Sequence, residues 1–178
     1  MTPPDYVRRI RFWLAVFIVG LLLSGVTAFP LQTELGWLVS FVHVNPLQPI
    51  AQSTGLLPWL ERVNEGLSVT NARYPFLAYG TDWLAFAHLV IAIVFIGPCI
   101  DPVRNKWIIT FGLIACAGVI PLALIAGHIR GIPFSWRLVD CSFGVFGAIP
   151  LLLCRRLTAK LEGGDHPRSL FGDRTIMP

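Results

Sequence analysis

Charged residues are scarce in this chain. Asp, Glu, Lys and Arg make up 13% of its 178 residues, against about 25% in an ordinary soluble domain. Hydrophobic residues account for 54%, and they are gathered into runs instead of being spread evenly. The shortage of charge therefore excludes an ordinary soluble domain and predicts a polytopic membrane protein.

Motifs that would name a reaction are also missing. The sequence contains no Walker phosphate loop, no GxGxxG fingerprint, no HExxH zinc motif and no nucleophile elbow followed by a triad in chain order. It has no internal repeat and no inverted pair of broken helices, which weakens a transporter interpretation. These absences favour a non-enzymatic role over an enzymatic one.

The cysteines do not form a metal-binding set. No CxxC pair occurs, and the four residues are distributed over different depths of the predicted spans. We expect four free, buried thiols and no metal site. The cysteines are Cys99, Cys116, Cys141 and Cys154.

Four apolar runs are long enough to cross a bilayer, which requires about 20 mostly apolar residues. They cover roughly residues 10–29, 79–100, 107–127 and 138–154. The sequence therefore predicts an all-α membrane protein with four transmembrane helices.

This assignment divides the chain into a transmembrane domain over residues 1–162, with an outer loop over 30–78, and a tail over 163–178. The first run has the basic lead and apolar stretch of a signal peptide, but we expect an uncleaved anchor that ends near Pro30. Pro121 and Pro150 lie inside spans and are expected to kink them.

The distribution of Lys and Arg predicts the orientation, because basic residues are enriched in cytoplasmic segments. With both termini and the 163–178 tail in the cytoplasm, ten of the 14 basic residues lie on the inner side. The other four, on the outer side, are Arg62, Arg73, Arg130 and Arg137. The basic residues flank spans and form no single stripe, so we expect no nucleic-acid partner.

The long outer loop, about fifty residues, contains two apolar segments. Residues 35–44 are too short to cross the bilayer and are expected to lie at its interface or to dip into it. Residues 56–67 place Leu56, Leu60, Val63 and Leu67 at helical spacing, with charged residues on the other side. This pattern predicts an amphipathic surface helix, acting either as a lid over the bundle or as a docking surface for another subunit.

A belt of polar residues is predicted at the outer ends of the helices. It consists of Tyr79, Asp82, Arg130, Arg137 and Asp140. One interpretation is structural, because each aspartate opens a helix and could pair with a nearby arginine to clamp the second and fourth spans together. The other interpretation is a site for a lipid headgroup, a quinone or a small polar ligand.

His88 lies about two turns inside the second span. An imidazole there could be an axial ligand of haem or of a chlorophyll-type pigment. However, Leu84 occupies the position four residues earlier, where light-harvesting proteins have a small residue, and His128 is the one plausible second ligand. We expect a hydrogen-bonded packing histidine and no cofactor, and a proton-relay role is a further alternative.

Small residues on two spans could let helices approach closely. Gly20, Ser24 and Ala28 form such a seam on the first span, and Gly144 and Ala148 form another on the fourth. Either seam could serve the bundle itself or face a partner protein.

The stretches YPFLAYGTDWLAFAH, IGPCIDPVRNKW, RGIPFSWRLVDCSFG and LLLCRRL resemble a family of small bacterial inner-membrane proteins with four spans. The resemblance covers about the last two-thirds of the membrane portion and implies a bacterial inner-membrane location, but no activity. We expect an accessory or structural subunit of a larger complex, of respiratory or photosynthetic type. The alternative is a stand-alone protein whose periplasm-facing site binds or modifies a lipid or quinone.

Overall fold

The computed structural model describes residues 3–164, so the predicted tail lies outside the described residues from position 165 onwards. Within the described range the secondary structure is helical, with no strand. Four segments of that range are long and apolar enough to cross a bilayer: Pro3–Ala28, Pro75–Ile100, Lys106–Ile129 and Phe134–Gly163. The prediction of an all-α protein with four candidate spans is confirmed, and each span is longer than the sequence indicated.

The four spans form a bundle in which each helix packs on particular neighbours. Helix α1 (Pro3–Ala28) packs between α5 (Tyr79–Val94) and α9 (Phe134–Gly164), and α9 also packs along α7 (Lys106–Pro121). We call the end where α1 begins and α9 ends the terminal end, and the opposite end the hairpin end.

The packed core lies toward the terminal end. Contact with lipid chains is as favourable to an apolar side chain as burial, so helices in a bilayer associate through close packing, and this cluster is where such packing holds the spans together. Its buried members are Ile10, Leu14, Phe95, Ile109, Cys116, Leu151 and Cys154.

Polar contacts also join the helices at the terminal end. The Nε of Arg11 donates a hydrogen bond to the carbonyl oxygen of Cys99 at 2.8 Å, which ties α1 to the short helix α6 (Ile96–Ile100). The Nζ of Lys106 lies 2.8 Å from Oε1 of Glu162 and links the start of α7 to the end of α9. Because this ion pair is largely exposed, it adds little to the free energy of unfolding. Its main effect is to fix the position of the two helix ends relative to each other.

Glycines allow the closest approaches between spans. A Cβ atom at Gly144 would lie 2.5 Å from the carbonyl oxygen of Cys116, so the predicted seam on the fourth span is used inside the bundle. On the first span the contact residue is Gly25, where a Cβ would lie 3.0 Å from both Ala85 O and His88 Cβ. A Cβ at Gly20 would have no neighbour within 4 Å, so α1 does not approach the other spans of the bundle closely at Gly20.

The two prolines inside spans have different outcomes. Proline lacks an N–H and disturbs the helical ladder, and after Pro121 the backbone continues as a π-helical turn, Leu122–Ala126. The short helix α8 (Gly127–Ile129) then ends the third span. In contrast, α9 continues through Pro150 as one helix.

Residues 31–73 form a helical hairpin. Its arms are α2 (Leu31–Val44) and α4 (Leu56–Arg73), which pack on each other and are joined by α3 (Gln48–Ser53). The predicted amphipathic helix is confirmed as α4, which buries Leu57 and Leu60. With 14 residues, α2 is about 21 Å long and too short to cross a hydrocarbon core of about 30 Å.

The hairpin meets the bundle at its base. Its arms join the spans through the turn at Phe29 and Pro30 and through the 3₁₀ helix Pro75–Ala78, and its contacts with the spans are concentrated there. The hairpin is therefore attached at one end and is not a lid packed across the helix ends.

Most of the apolar surface of the spans is exposed. Only 17–22% of the residues in the most apolar window of each span are buried. So much exposed apolar surface would be unstable in water and suits contact with lipid chains.

Candidate functional site

The predicted polar belt divides into two groups. Tyr79 and Asp82 lie at the start of α5, which packs against α1. Arg130, Arg137 and Asp140 lie at the corner between α8 and α9, which packs against α7. Two cavities of the described chain lie near these groups; they have separate linings, and neither lining combines residues from both groups.

The predicted ionic clamp does not form. Within residues 3–164, neither Asp82 nor Asp140 makes an ion pair with an arginine or lysine. Arg137 is engaged elsewhere, and Arg130 is exposed at the end of the third span. The interpretation of Asp82 and Asp140 as members of a salt-bridged clamp was therefore wrong.

Arg137 supports the π-helical turn. Its Nη1 donates a hydrogen bond to the carbonyl oxygen of Leu124 at 3.3 Å, and its guanidinium carbon lies 5.3 Å from the ring centre of Phe134. A Cβ at Gly127 would lie 2.8 Å from Cγ and Cδ of Arg137, so this glycine makes room for the arginine stem. The Nε of Arg137 is buried and has no hydrogen-bond partner among the described residues. The side chain thus stabilises the corner between the third and fourth spans.

Aromatic residues line the start of α5. The rings of Tyr79 and Trp83 meet edge to face with centres 5.9 Å apart, and Trp83 meets Phe86 in the same way at 6.0 Å. Tyr and Trp favour the boundary between lipid chains and water. These aromatic residues lie in the first turns of α5, at the hairpin end.

The smaller cavity, of about 210 Å³, lies beside the π-helical turn. Arg130 and Asp140 supply its charged groups, and the rest of its lining is apolar. It is smaller than the roughly 300–1,000 Å³ typical of ligand pockets. The lining residues are Val119, Leu122, Ala123, Ala126, Gly127, Arg130, Ile132 and Asp140.

The larger cavity, of about 590 Å³, lies where the hairpin joins the bundle. This volume is typical of sites for small organic ligands. Its walls combine apolar side chains with amides and hydroxyls, and no lining residue carries a charge. They are Phe29, Pro30, Leu31, Gln32, Thr33, Val63, Gly66, Leu67, Thr70, Asn71, Leu77, Ala78 and Thr81. We call this space the junction cavity.

The polar groups of the junction cavity are only partly used. Nδ2 of Asn71 donates to Oε1 of Gln32 at 2.7 Å, and the Thr81 hydroxyl donates to the carbonyl oxygen of Ala78 at 2.6 Å. In the described chain no hydrogen bond is made by the side-chain nitrogen of Gln32 or by the hydroxyls of Thr33 and Thr70. Donors and acceptors therefore remain available to a ligand.

No charged or metal-binding side chain marks the junction cavity in the sequence. The cavity is built from uncharged residues on α2, α4 and the start of α5, which are far apart in the sequence. The signal present in the sequence was a pair of small polar clusters, Gln32 with Thr33 and Thr70 with Asn71, at the two ends of the outer loop.

His88 is a half-buried residue that packs near α1. Its Nδ1 lies 2.8 Å from the carbonyl oxygen of Leu84, one turn earlier on the same helix. This contact is consistent with the predicted hydrogen-bonded packing histidine. His128, the proposed second axial ligand, is exposed at the far corner of the bundle, on α8.

All four cysteines are free, as predicted, but they are not all buried. Cys116 and Cys154 are buried, whereas Cys99 and Cys141 are half-buried. The expectation of four buried thiols was therefore wrong for two of them. Within residues 3–164, no group of three or more His, Cys, Asp or Glu side chains is placed to hold a metal ion.

Comparison with known proteins gives no relative from which a role could be transferred. No protein-family model, curated protein or solved structure matches this chain.

Proposed function

We propose that this chain is a non-catalytic membrane protein that binds a neutral amphiphile, a lipid or a quinone, in the junction cavity. The observation that supports the proposal is the cavity itself: about 590 Å³, lined by apolar side chains and by amide and hydroxyl groups without a charged residue. A pocket of this composition orients a ligand by a few hydrogen bonds and binds it by apolar contact.

The chemistry of the lining selects the class of ligand. The free amide nitrogen of Gln32 is a donor, the side-chain oxygen of Asn71 is an acceptor, and the hydroxyls of Thr33 and Thr70 can act as either. These groups suit ester or quinone carbonyls and neutral hydroxyl groups. A charged headgroup would lose hydration there without gaining an opposite charge.

The position of the cavity suits a molecule held partly in the lipid. Phe29 and Leu77 form part of the wall and are themselves exposed, at the ends of the first two spans. A ligand with its polar part beside Gln32 can extend an apolar chain past Phe29 into the lipid. The proposal therefore includes a bilayer around the spans.

A cavity-filling variant tests the proposal. Gly66 lines the cavity, and a Cβ added there would meet no atom within 4 Å, so the helix accepts a side chain at this position and Gly66→Phe adds a ring to the cavity wall. The wild-type protein is purified in mild detergent, extracted with organic solvent and compared with Gly66→Phe by mass spectrometry. We expect a neutral amphiphile that is enriched with the wild type and reduced at least about tenfold in the variant. Equal amounts in the two samples would contradict the proposal.

A second candidate function, an accessory subunit of a larger bacterial membrane complex, is favoured by the first-span seam. Gly20 and Ser24 are exposed, and a Cβ at Gly20 would meet no atom within 4 Å. Since the bundle does not use this surface, a helix of another subunit could pack closely against it. The proposed location is the bacterial inner membrane with both termini in the cytoplasm, which is supported by the distribution of Lys and Arg.

The two candidates can be separated with crossed variants. Gly20→Phe is expected to dissociate a partner while leaving the amphiphile bound, because Gly20 lies outside the cavity lining. Gly66→Phe is expected to release the amphiphile while leaving a partner bound. Size analysis in mild detergent gives the assembly state of each variant. A wild-type protein that runs as a monomer without partners would contradict the subunit function alone.

A further inference from the structure

The hairpin has two chemically different sides. On α2, Trp37, Phe41 and Val44 fall on one helical face and are 71%, 60% and 83% exposed. The face continues into the connection and α3 with Leu47 and Ile50, which are also exposed. In solution so many exposed apolar side chains in one patch would be unstable, and such patches mark contact surfaces.

The opposite side of the hairpin carries charge. The exposed face of α4 includes Glu61, Arg62, Glu65 and Arg73, while its other face packs on α2. The one charged residue of α2 apart from its histidine is Glu34, in the first turn. The hairpin therefore has an apolar layer on the outside of α2 and a charged layer on the outside of α4.

The polar groups of α2 do not interrupt the apolar face. The Ser40 hydroxyl donates to the carbonyl oxygen of Gly36 at 2.9 Å, so its hydrogen-bonding capacity is met within the helix. His43 is turned toward α4, with Nε2 located 2.9 Å from Oε1 of Glu61. Thr33 and Glu34 are confined to the first turn of α2, at the base of the hairpin, and beyond that turn the face of Trp37, Phe41 and Val44 is aromatic and aliphatic.

The apolar face is continuous with the exposed surface of the first span. Val26 and Phe29 are exposed at the end of α1, and Leu31 is exposed at the start of α2. Only the turn at Phe29 and Pro30 separates the two helices. The base of the hairpin is thereby held where α1 ends, at the level of the aromatic residues of α5.

From this arrangement we infer that the hairpin lies on the membrane, with the outer face of α2 in the lipid headgroup region and α4 above it in water. A lipid surface is an apolar layer bounded by water, and it matches a hairpin with one apolar and one charged side. Trp37 has the aromatic character that favours this boundary. The inference does not depend on whether the junction cavity is occupied.

Photo-crosslinking identifies what contacts α2. A benzophenone amino acid replaces Phe41, and in separate variants it replaces Phe146, which is 68% exposed on the fourth span, or Glu65 on the charged face of α4. Membranes of the expressing cells are irradiated, and the purified protein is weighed by intact mass spectrometry. We expect phospholipid adducts at positions 41 and 146 within about threefold of each other, and at least about tenfold less at 65.

Other outcomes would overturn the inference. A crosslink from position 41 to a second copy of the chain or to another protein would make the face a protein interface. The absence of any lipid adduct at 41, with a normal yield at 146, would mean that the face does not meet lipid.

Tryptophan quenching gives a second test with natural residues. The protein is reconstituted in phosphatidylcholine vesicles that carry bromine near the headgroup end of the chains, which quenches nearby indole rings. Trp37→Phe should remove a larger share of the quenchable fluorescence than Trp59→Phe, since Trp59 lies on α4 and is half-buried. An equal or smaller share for Trp37 would contradict the inference.

Discussion

The side chains of Gln32 and Asn71, 39 positions apart in the sequence, are joined by a hydrogen bond of 2.7 Å. The bond ties the beginning of α2 to the end of α4, and both residues line the junction cavity. At the other end of the hairpin, His43 and Glu61 meet at 2.9 Å. The hairpin is thus fastened by a polar pair near each end, and the pair at the base also shapes the proposed site.

Removing the base pair should loosen one end of the hairpin. Asn71→Ala is expected to cost about 0.5–1.5 kcal/mol, because it removes the bond and leaves the Gln32 oxygen without its donor. Amide hydrogen exchange near the end of α4 should then speed up by as much as about tenfold. Ser68→Ala, at an exposed position on the same helix, is the control and should leave exchange unchanged. Equal exchange in Asn71→Ala and wild type would show that the bond does not hold the base.

Close packing of the third and fourth spans should make Gly144 intolerant of any side chain. In Gly144→Ala the new methyl group would lie 2.5 Å from the carbonyl oxygen of Cys116, so the two backbones must separate. We expect a loss of about 1–3 kcal/mol and a lower melting temperature in detergent.

Gly118→Ala is the matched control for this prediction. A Cβ there would have no neighbour within 4 Å, and alanine favours a helix over glycine by about 1 kcal/mol. Its melting temperature should stay the same or rise. A fall as large as that of Gly144→Ala would mean that glycine serves these helices in some way other than close packing.

The spans and the amphipathic helix could be predicted from the sequence because each depends on a local pattern. A run of about 20 apolar residues predicts a transmembrane helix. The helical spacing of Leu56, Leu60, Val63 and Leu67 predicts an amphipathic helix. The helices in the structure are longer than the apolar runs in the sequence, because their first and last turns also contain polar residues such as Lys106.

The candidate site could not be predicted in the same way. The sequence groups Asp82 with Asp140 because each is expected to open a span, but Asp140 lies six positions after Phe134, the first residue of α9, and of the two only Asp82 stands in the first turn of its helix. In addition, α5 packs against α1, whereas α9 also packs against α7. The spacing of apolar residues shows which face of a helix is buried, but it does not show which other helix packs against that face. The sequence also gave no reason to expect that Arg137 would donate its hydrogen bond to the π-helical turn after Pro121.

The proposed orientation makes a prediction about access from outside the cell. Cysteines are introduced at two exposed positions, Ser68→Cys in the hairpin and Ala159→Cys near the end of α9. A membrane-impermeant maleimide added to intact cells should label position 68, and it should label position 159 only after permeabilisation. The unmodified protein corrects for the native half-buried Cys99 and Cys141. The reverse labelling pattern would invert the topology.

An absorption spectrum checks the expectation for His88. We expect a packing role for His88 and a purified protein without a Soret band, because His128, the proposed second axial ligand, lies on α8 at the end of the third span. A band that is present in the wild type and lost in His88→Phe would instead identify a tetrapyrrole bound at this residue.

Native mass spectrometry of the protein released from mild detergent shows whether a neutral amphiphile occupies the junction cavity. The wild type is expected to retain one neutral amphiphile for each chain, because the cavity of about 590 Å³ suits a single small organic ligand. Gly66→Phe should then be detected at the bare mass of the variant. A wild-type protein that carries no ligand, or a Gly66→Phe variant that keeps the same ligand, would contradict the proposed function.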